Sequence, residues 1–254
     1  MKLNYKTYGQ GPALIILHGL FGSLDNWVSH ARALSELFSV YVLDQRNHGK
    51  SPHSSEWNYE LMALDLLEFM DDQGIFRAHL LGHSMGGKTA MQFAGMEPDR
   101  IDKLIVADMA PKAYPPHHRE ILETLIQLDV SKLSSRQQAD QLMQQGIAEA
   151  SVRQFLLKSL LRQPGDGFRW KYNLPVIYAK YEEVLKAIEL PFPFEGPSLF
   201  LYGTRSNYIL PEDHELIRKQ FPRARFQAIK GAGHWLHADA PEAFLQAVKE
   251  FLAT

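Results

Sequence analysis

Short apolar runs separated by helical periodicities dominate the first part of the chain. Ala13–Leu17 and Ala78–Leu81 are apolar almost throughout, as are Val40–Leu43 and Lys103–Ala107. These runs end at His18-Gly19, Gly82, Asp44 and Asp108 respectively. Runs this short and this apolar fit parallel strands covered on both faces. Between them, Asn58 to Gly74 places Leu61, Leu64, Leu67 and Phe69 at helical spacings, with Gly74 as the stop. Met85 to Glu97 reads as a second helix, ended by Pro98. Strand and helix alternating in this way predict an α/β fold built on a mostly parallel, right-handed sheet flanked by helices.

The rhythm breaks after Pro111. His118–Leu128 carries Ile121, Leu122, Leu125 and Leu128 on one stripe. Ser134–Gly146 is polar, with Leu142 and Met143 on one side, and Val152–Leu161 reads as a helix burying Phe155, Leu156 and Leu160. A proline-rich stretch through Pro191, Pro193 and Pro197 closes the region. Alternation then resumes with strand Ser198–Tyr202, helix Pro211–Phe221, strand Arg225–Ile229 and helix Pro241–Leu252. The expected organisation is one core made of residues 1–111 and 196–254, interrupted by a helical cap at 112–195.

Composition narrows the chemistry. The chain has 254 residues, enough for a sizeable core without metal or disulfide support. Its formal net charge of −2 gives no field that would gather nucleic acid, and no basic stripe interleaved with aromatics appears. With no cysteine, a thiol nucleophile, an iron–sulfur centre and a disulfide framework are excluded. The start, Met1 to Tyr8, is polar, and no apolar run is long enough to span a bilayer. The expectation is a cytoplasmic protein with no membrane or nucleic-acid partner and an open oligomeric state. No H-E-x-x-H occurs, and the adjacent His117 and His118 lack a ligand spacing, so no metal is expected.

The segment Gly82-His83-Ser84-Met85-Gly86 fits G-x-S-x-G. A strand enters it and a helix leaves, the context of a nucleophile elbow that exposes a serine hydroxyl. Extended to Gly87-Lys88-Thr89, the same residues fit G-x-x-x-x-G-K-[ST], the phosphate-cradling loop of nucleotide-binding proteins. At least two strands precede this loop, however, and the nucleotide reading gives no role to a histidine near the C-terminus.

A serine hydroxyl needs a base. Of the 11 histidines, His234 in Gly231-Ala232-Gly233-His234-Trp235 follows the last strand on a glycine-flanked loop that can reach the strand-end face. His83 lies too close to Ser84 along the chain, and His237 reads as surface or packing. The base needs a carboxylate to hold its tautomer. The loop Gly203–Tyr208 has none, Glu212 and Asp213 fall in a helix's first turn, and Asp239 reads as a helix-entry residue. Asp108, ending the strand after the elbow helix, remains, in the order Ser84, Asp108, His234. The amide of Met85 is one expected oxyanion donor. The second comes from the loop His18–Ser23, with Leu20 first and Phe21 as the alternative. Phe21, Tyr114, Phe155, Trp170 and Trp235 are candidates to line the substrate pocket.

These motifs resemble the α/β-hydrolase superfamily and, more narrowly, the bacterial YbfF-type esterases. The narrow match includes His18-Gly19-Leu20-Phe21-Gly22-Ser23-Leu24-Asp25-Asn26 and Asp44-x-Arg46-Asn47-His48-Gly49-x-Ser51-Pro52. It also includes Gly82–Lys88, Pro98–Leu104, Gln154–Ser159 and Gly231–Trp235. The resemblance implies a serine esterase or thioesterase for short to medium acyl groups, acyl-CoA included, with no cofactor. It implies an acid after the strand that follows the elbow helix, in agreement with Asp108, and it casts Asp44, Arg46 and His48 as braces. Lactonases, haloperoxidases and C–C hydrolases share this machinery. A non-catalytic receptor on the same fold is the remaining alternative.

Overall fold

The computed structural model describes residues 1–165 and 167–253; residues 166 and 254, which fall in the expected cap and core ranges, lie outside the described residues. The strands are β1 (Tyr5–Tyr8), β2 (Ala13–Leu17), β3 (Ser39–Leu43), β4 (Ala78–His83), β5 (Ile101–Ala107), β6 (Leu160–Arg162), β7 (Phe168–Trp170), β8 (Ser198–Gly203) and β9 (Ala224–Ile229). Seven of them form one sheet in the order β1-β3-β2-β4-β5-β8-β9. Only β1 runs antiparallel within it; the other pairings are parallel. In β2, Leu14 and Ile16 pack into the apolar layer on one face while Ile15 and Leu17 pack into the layer on the other. A continuous apolar run is what burial of both faces demands, and burying each such side chain is worth about 1.5–3 kcal/mol.

The helices are α1 (Val28–Leu34), α2 (Tyr59–Asp72), α3 (Met85–Met96), α4 (Arg119–Gln127), α5 (Arg136–Met143), α6 (Ala150–Leu157), α7 (Leu174–Ala179), α8 (Tyr181–Leu185), α9 (Asp213–Gln220), α10 (Leu236–Asp239) and α11 (Pro241–Ala253). Helices α2 and α3 cover one face of the sheet, and α1 and α11 the other. Helix α2 starts where the Asn58 side chain accepts from the Leu61 amide, and Gly74 leaves it at φ +65°. Its buried stripe is Met62, Leu66 and Phe69, with Leu64 exposed. Of the expected Leu61, Leu64, Leu67 and Phe69, Phe69 is in the core and Leu67 packs partly buried against it, while Leu64 turns outward, because a three-residue spacing drifts around a 3.6-residue helix.

Between β5 and β8 the chain forms α4–α8 and a two-stranded hairpin. Here the expected helix Val152–Leu161 is corrected: α6 stops at Leu157, and Leu160–Arg162 pairs with Phe168–Trp170 in register Leu160↔Trp170. Cross-strand pairing outweighs the helical pattern over those last residues. In α5, Met143 is buried but Leu142 is exposed, so the two do not share a face.

Candidate active site

Four non-glycine residues among those described have positive φ: Phe21, Asn47, Ser84 and Asp108. Each lies at or just beyond the C-terminal end of one of the parallel strands β2, β3, β4 and β5. Such backbone strain persists only where the surroundings over-determine it, and it gathers at functional sites. Ser84 sits at φ 53°, ψ −119°, between β4 and α3. Its amide donates to the Ala107 carbonyl at 3.0 Å, which extends the β4–β5 ladder through the turn. Glycine is required around it. A Cβ on Gly82 would lie 2.2 Å from the Gly86 carbonyl oxygen, and one on Gly86 would lie 2.3 Å from that of Leu17. No side chain fits at those separations.

The structure brings Ser84, His234 and Asp108 together. His234 Nε2 lies 3.0 Å from Ser84 Oγ, and His234 Nδ1 lies 2.7 Å from Asp108 Oδ2. With the Nδ1 proton directed at the carboxylate, Nε2 is left as an acceptor for the serine proton. Burial pushes the imidazole well below its ordinary pKa, so it rests neutral, the form a general base requires. Burial also pushes the Asp108 carboxyl up, while hydrogen bonds from Ser206 and Gly203 act the other way. Gly203 N donates to Oδ1 at 3.2 Å, and the Ser206 hydroxyl donates to Oδ2.

Sequence reasoning gave no role to several of the residues that hold this geometry. The Tyr208 ring stacks on His234 at 3.8 Å and 17°. His83 Nε2 donates to the His234 carbonyl at 2.8 Å, and burial keeps His83 neutral, its pKa pushed down to about 3. Asp239 accepts from Gly233 N at 2.8 Å, fastening the loop before His234 rather than capping a helix. His237, read as surface or packing, is buried and stacks on Trp27 at 4.3 Å. Ser206 and Tyr208 lie in the loop whose lack of a carboxylate was legible; their contacts are visible only with that loop beside Asp108 and His234.

Behind the site, Asp44, Arg46 and His48 brace the strand end. The Asp44 carboxylate accepts from the amides of Leu24 and Lys50 and from Asn4 Nδ2. Arg46 makes a two-pronged pair with Asp65, and His48 is fully buried with Nδ1 3.0 Å from the Arg46 carbonyl.

Two cavities meet at Ser84. A cleft of about 550 Å³ is lined by His234, Phe21, Phe155 and Trp235, with Arg205 and Glu149 also on its wall. An inner cavity of about 30 Å³ is lined by Ser84, Leu20, Met85, Met109, Tyr114 and Leu185. Leu20 lines both cavities, Met85 only the inner one and Phe21 only the outer cleft. The Phe21 carbonyl is held by the Ser159 hydroxyl at 2.9 Å, tying the segment after α6 to the loop after β2. Trp170 is not brought to the site. It is buried in β7, stacked on Tyr172 at 5.3 Å and 13°, and lines neither cavity. Its place in the hairpin makes it part of the buried packing between β5 and β8.

The nucleotide-loop alternative finds no support in this geometry. Lys88 is fully buried on α3, and its Nζ donates to the carbonyls of Lys186 at 2.5 Å and Leu185 at 3.4 Å. Thr89 Oγ1 donates to the Met85 carbonyl at 3.1 Å. The groups that would hold phosphate and magnesium are engaged with the helix and the segment after α8.

A family model described as alpha/beta hydrolase fold matches residues 12–241, and the chain belongs to that family. Within it, the chain is 39% identical to the protein named Esterase YbfF of Escherichia coli (strain K12), over 99% of both chains. It is 38% identical to a Mus musculus protein named sn-1-specific diacylglycerol lipase ABHD11, over 95% of this chain and 81% of that one. A solved structure described as a marine microorganism esterase superposes with TM-score 0.96 at 42% identity, covering 98% of this chain and 99% of that one. These relatives support an ester-cleaving hydrolase function and agree with the YbfF-type resemblance of the motifs. No helix among the described residues is long and apolar enough to cross a membrane.

Proposed function

We propose that the chain is a serine esterase in which Ser84, His234 and Asp108 form the catalytic triad. The observation that carries the reading is the continuous contact from Ser84 Oγ through His234 to the buried Asp108 carboxylate. Ser84 Oγ bonds to the ester carbonyl carbon while its proton passes to His234 Nε2. Asp108 holds the imidazole and stabilises its charged form. The developing oxyanion accepts from the amides of Met85 and Leu20, two residues that line the cavities at Ser84. The carbon–alkoxy bond then breaks, and His234 returns the proton to the leaving oxygen. A water, deprotonated by the same imidazole, releases the acid and regenerates Ser84. No cofactor enters.

Residues 112–195 act as the cap in this reading, with α4 and α6 roofing the cleft. Thioesters, acyl-CoA included, fit the same chemistry, and a small-molecule ester or thioester is the partner. The test compares hydrolysis of p-nitrophenyl acetate by the parent and by Ser84→Ala, His234→Ala and Asp108→Asn. Losses of about 10⁴-fold or more for Ser84→Ala are expected, as in other serine hydrolase triads. Full activity in Ser84→Ala would remove the nucleophile assignment.

A further inference from the structure

The dipeptide that opens helix α3 meets His234 twice. Ser84 Oγ lies 3.0 Å from the side-chain Nε2 of His234, and the preceding residue, His83, donates from its own Nε2 to the His234 main-chain carbonyl at 2.8 Å. Resting on the esterase reading, we propose that His83 is a positioning residue: it grips the backbone of the base from the residue beside the nucleophile and so fixes the separation of Ser84 and His234.

Neighbouring residues of an extended strand point to opposite faces. His83 ends β4, and Ser84 follows it at φ 53°, ψ −119°. That turn breaks the alternation, so two consecutive side chains reach the same partner. The strain at Ser84 thus has a second use besides presenting the hydroxyl. One turn holds the base by its ring and by its backbone, and the turn itself is set by the Ser84 amide bond to the Ala107 carbonyl at 3.0 Å. His83 is 3% exposed, whereas the tie from Gly233 N to Asp239 on the same loop is solvent-exposed.

The ring is held from several sides. Donation from Nε2 leaves Nδ1 without a proton. That nitrogen faces Gly19, where an added Cβ would lie 2.9 Å from it and 3.2 Å from Ser84 Cβ. The loop after β2 can therefore pass over His83 and Ser84 only because it carries a glycine there. His237 packs on the His83 ring at 4.8 Å and 69°, and the His237 carbonyl is tied in turn by His30 Nε2 at 2.9 Å. An uncharged ring also suits the place. His234 becomes an imidazolium when it takes the serine proton, and a second positive charge on a ring 4.9 Å away would oppose that step. Burial keeps His83 neutral.

Three substitutions, assayed on p-nitrophenyl acetate, test the grip. In His83→Gln the amide nitrogen can stand where Nε2 stands and donate to the same carbonyl. In His83→Asn it falls near the place of Nδ1, toward Gly19, and His83→Ala donates nothing. The expected kcat is about 30- to 100-fold lower in His83→Ala and His83→Asn, with KM within about twofold, because about 1 Å of misplacement costs about 100-fold. His83→Gln should stay within about fivefold of the parent. All three lose the packing of the ring, so a purely structural role would lower all three alike. That result overturns the proposal, as does an unchanged kcat in His83→Ala or a loss confined to KM. Nitrogen-15 spectra of the parent need no variant to fold: His83 should carry its proton on Nε2, and a proton on Nδ1 overturns the assignment. Failure of the esterase reading looks different, because the parent itself would then leave p-nitrophenyl acetate uncleaved and Ser84 unlabelled by a fluorophosphonate.

Discussion

Acid should destabilise this protein already below about pH 6.5, and the cause is buried histidine. His18, His48 and His83 are at most 3% exposed, and burial pushes their pKa values down to about 4, about 3 and about 3. In the unfolded chain each titrates near about 6.5. Folded-state values below the unfolded value mean that, as pH falls below about 6.5, the unfolded chain takes up protons the folded chain cannot, and stability drops. Between pH 7.5 and 5.5 each of the three loses about 1.3 kcal/mol, or about 4 kcal/mol together. Asp108 works in the opposite sense. Its pKa is pushed up to about 6, so the folded form gains a proton over part of this range and recovers about 1 kcal/mol. The net loss from these four groups is about 3 kcal/mol, a large share of a typical total of about 5–15 kcal/mol, and His118 and His234, which burial pushes down to about 4 and about 3, add to it in the same direction. Urea unfolding at pH 7.5 and 5.5, followed by tryptophan fluorescence, measures it. A stability that changes by less than about 1 kcal/mol would refute the reasoning, because most of the expected difference of about one proton per molecule would then be missing from the linkage.

Other perturbations act on single contacts. Ser206→Ala removes a hydroxyl that holds the Asp108 carboxylate, and kcat/KM should fall about 10- to 100-fold, the worth of a hydrogen bond to a charged group. Its pH–rate profile should also lose activity at higher pH on the acid side, since the carboxyl is then pushed up further. Ser159→Ala frees the Phe21 carbonyl, and kcat should drop about 2- to 10-fold with the melting temperature little changed. Gly86→Ala places a Cβ 2.3 Å from the Leu17 carbonyl oxygen, and its denaturation midpoint should reveal a loss of about 3 kcal/mol or more, or no folded protein.

The apolar runs that became β2, β3, β4 and β5 were legible because burial on both faces leaves no polar position in them. The proposed triad was legible for a different reason: each member stands at or beyond the end of a strand, where an α/β sheet gathers its chemistry, and chain order left one carboxylate. What escaped the sequence depended on contacts between segments far apart in the chain. The β1 strand is short and mostly exposed, so Tyr5–Tyr8 carries no apolar signal. The β6–β7 hairpin was hidden because Leu160 continues the helical pattern of α6, and only its pairing with Trp170 shows otherwise. That pairing also explains why Trp170, a large aromatic in the segment between β5 and β8, is packed in the hairpin instead of the pocket. His83 was set aside as too near Ser84 to serve as base, which agrees with its position. Its hydrogen bond to the His234 backbone spans 151 residues and could not be read from spacing.

The central claim is that Ser84 is activated by the contacts it makes in the folded protein. The most direct measurement is labelling with a fluorophosphonate, read by intact mass and then by peptide mapping. One adduct per molecule on Ser84, with loss of esterase activity in step and no labelling of His234→Ala, is the expected result. Labelling at another serine, or esterase activity that survives full modification of Ser84, would contradict it.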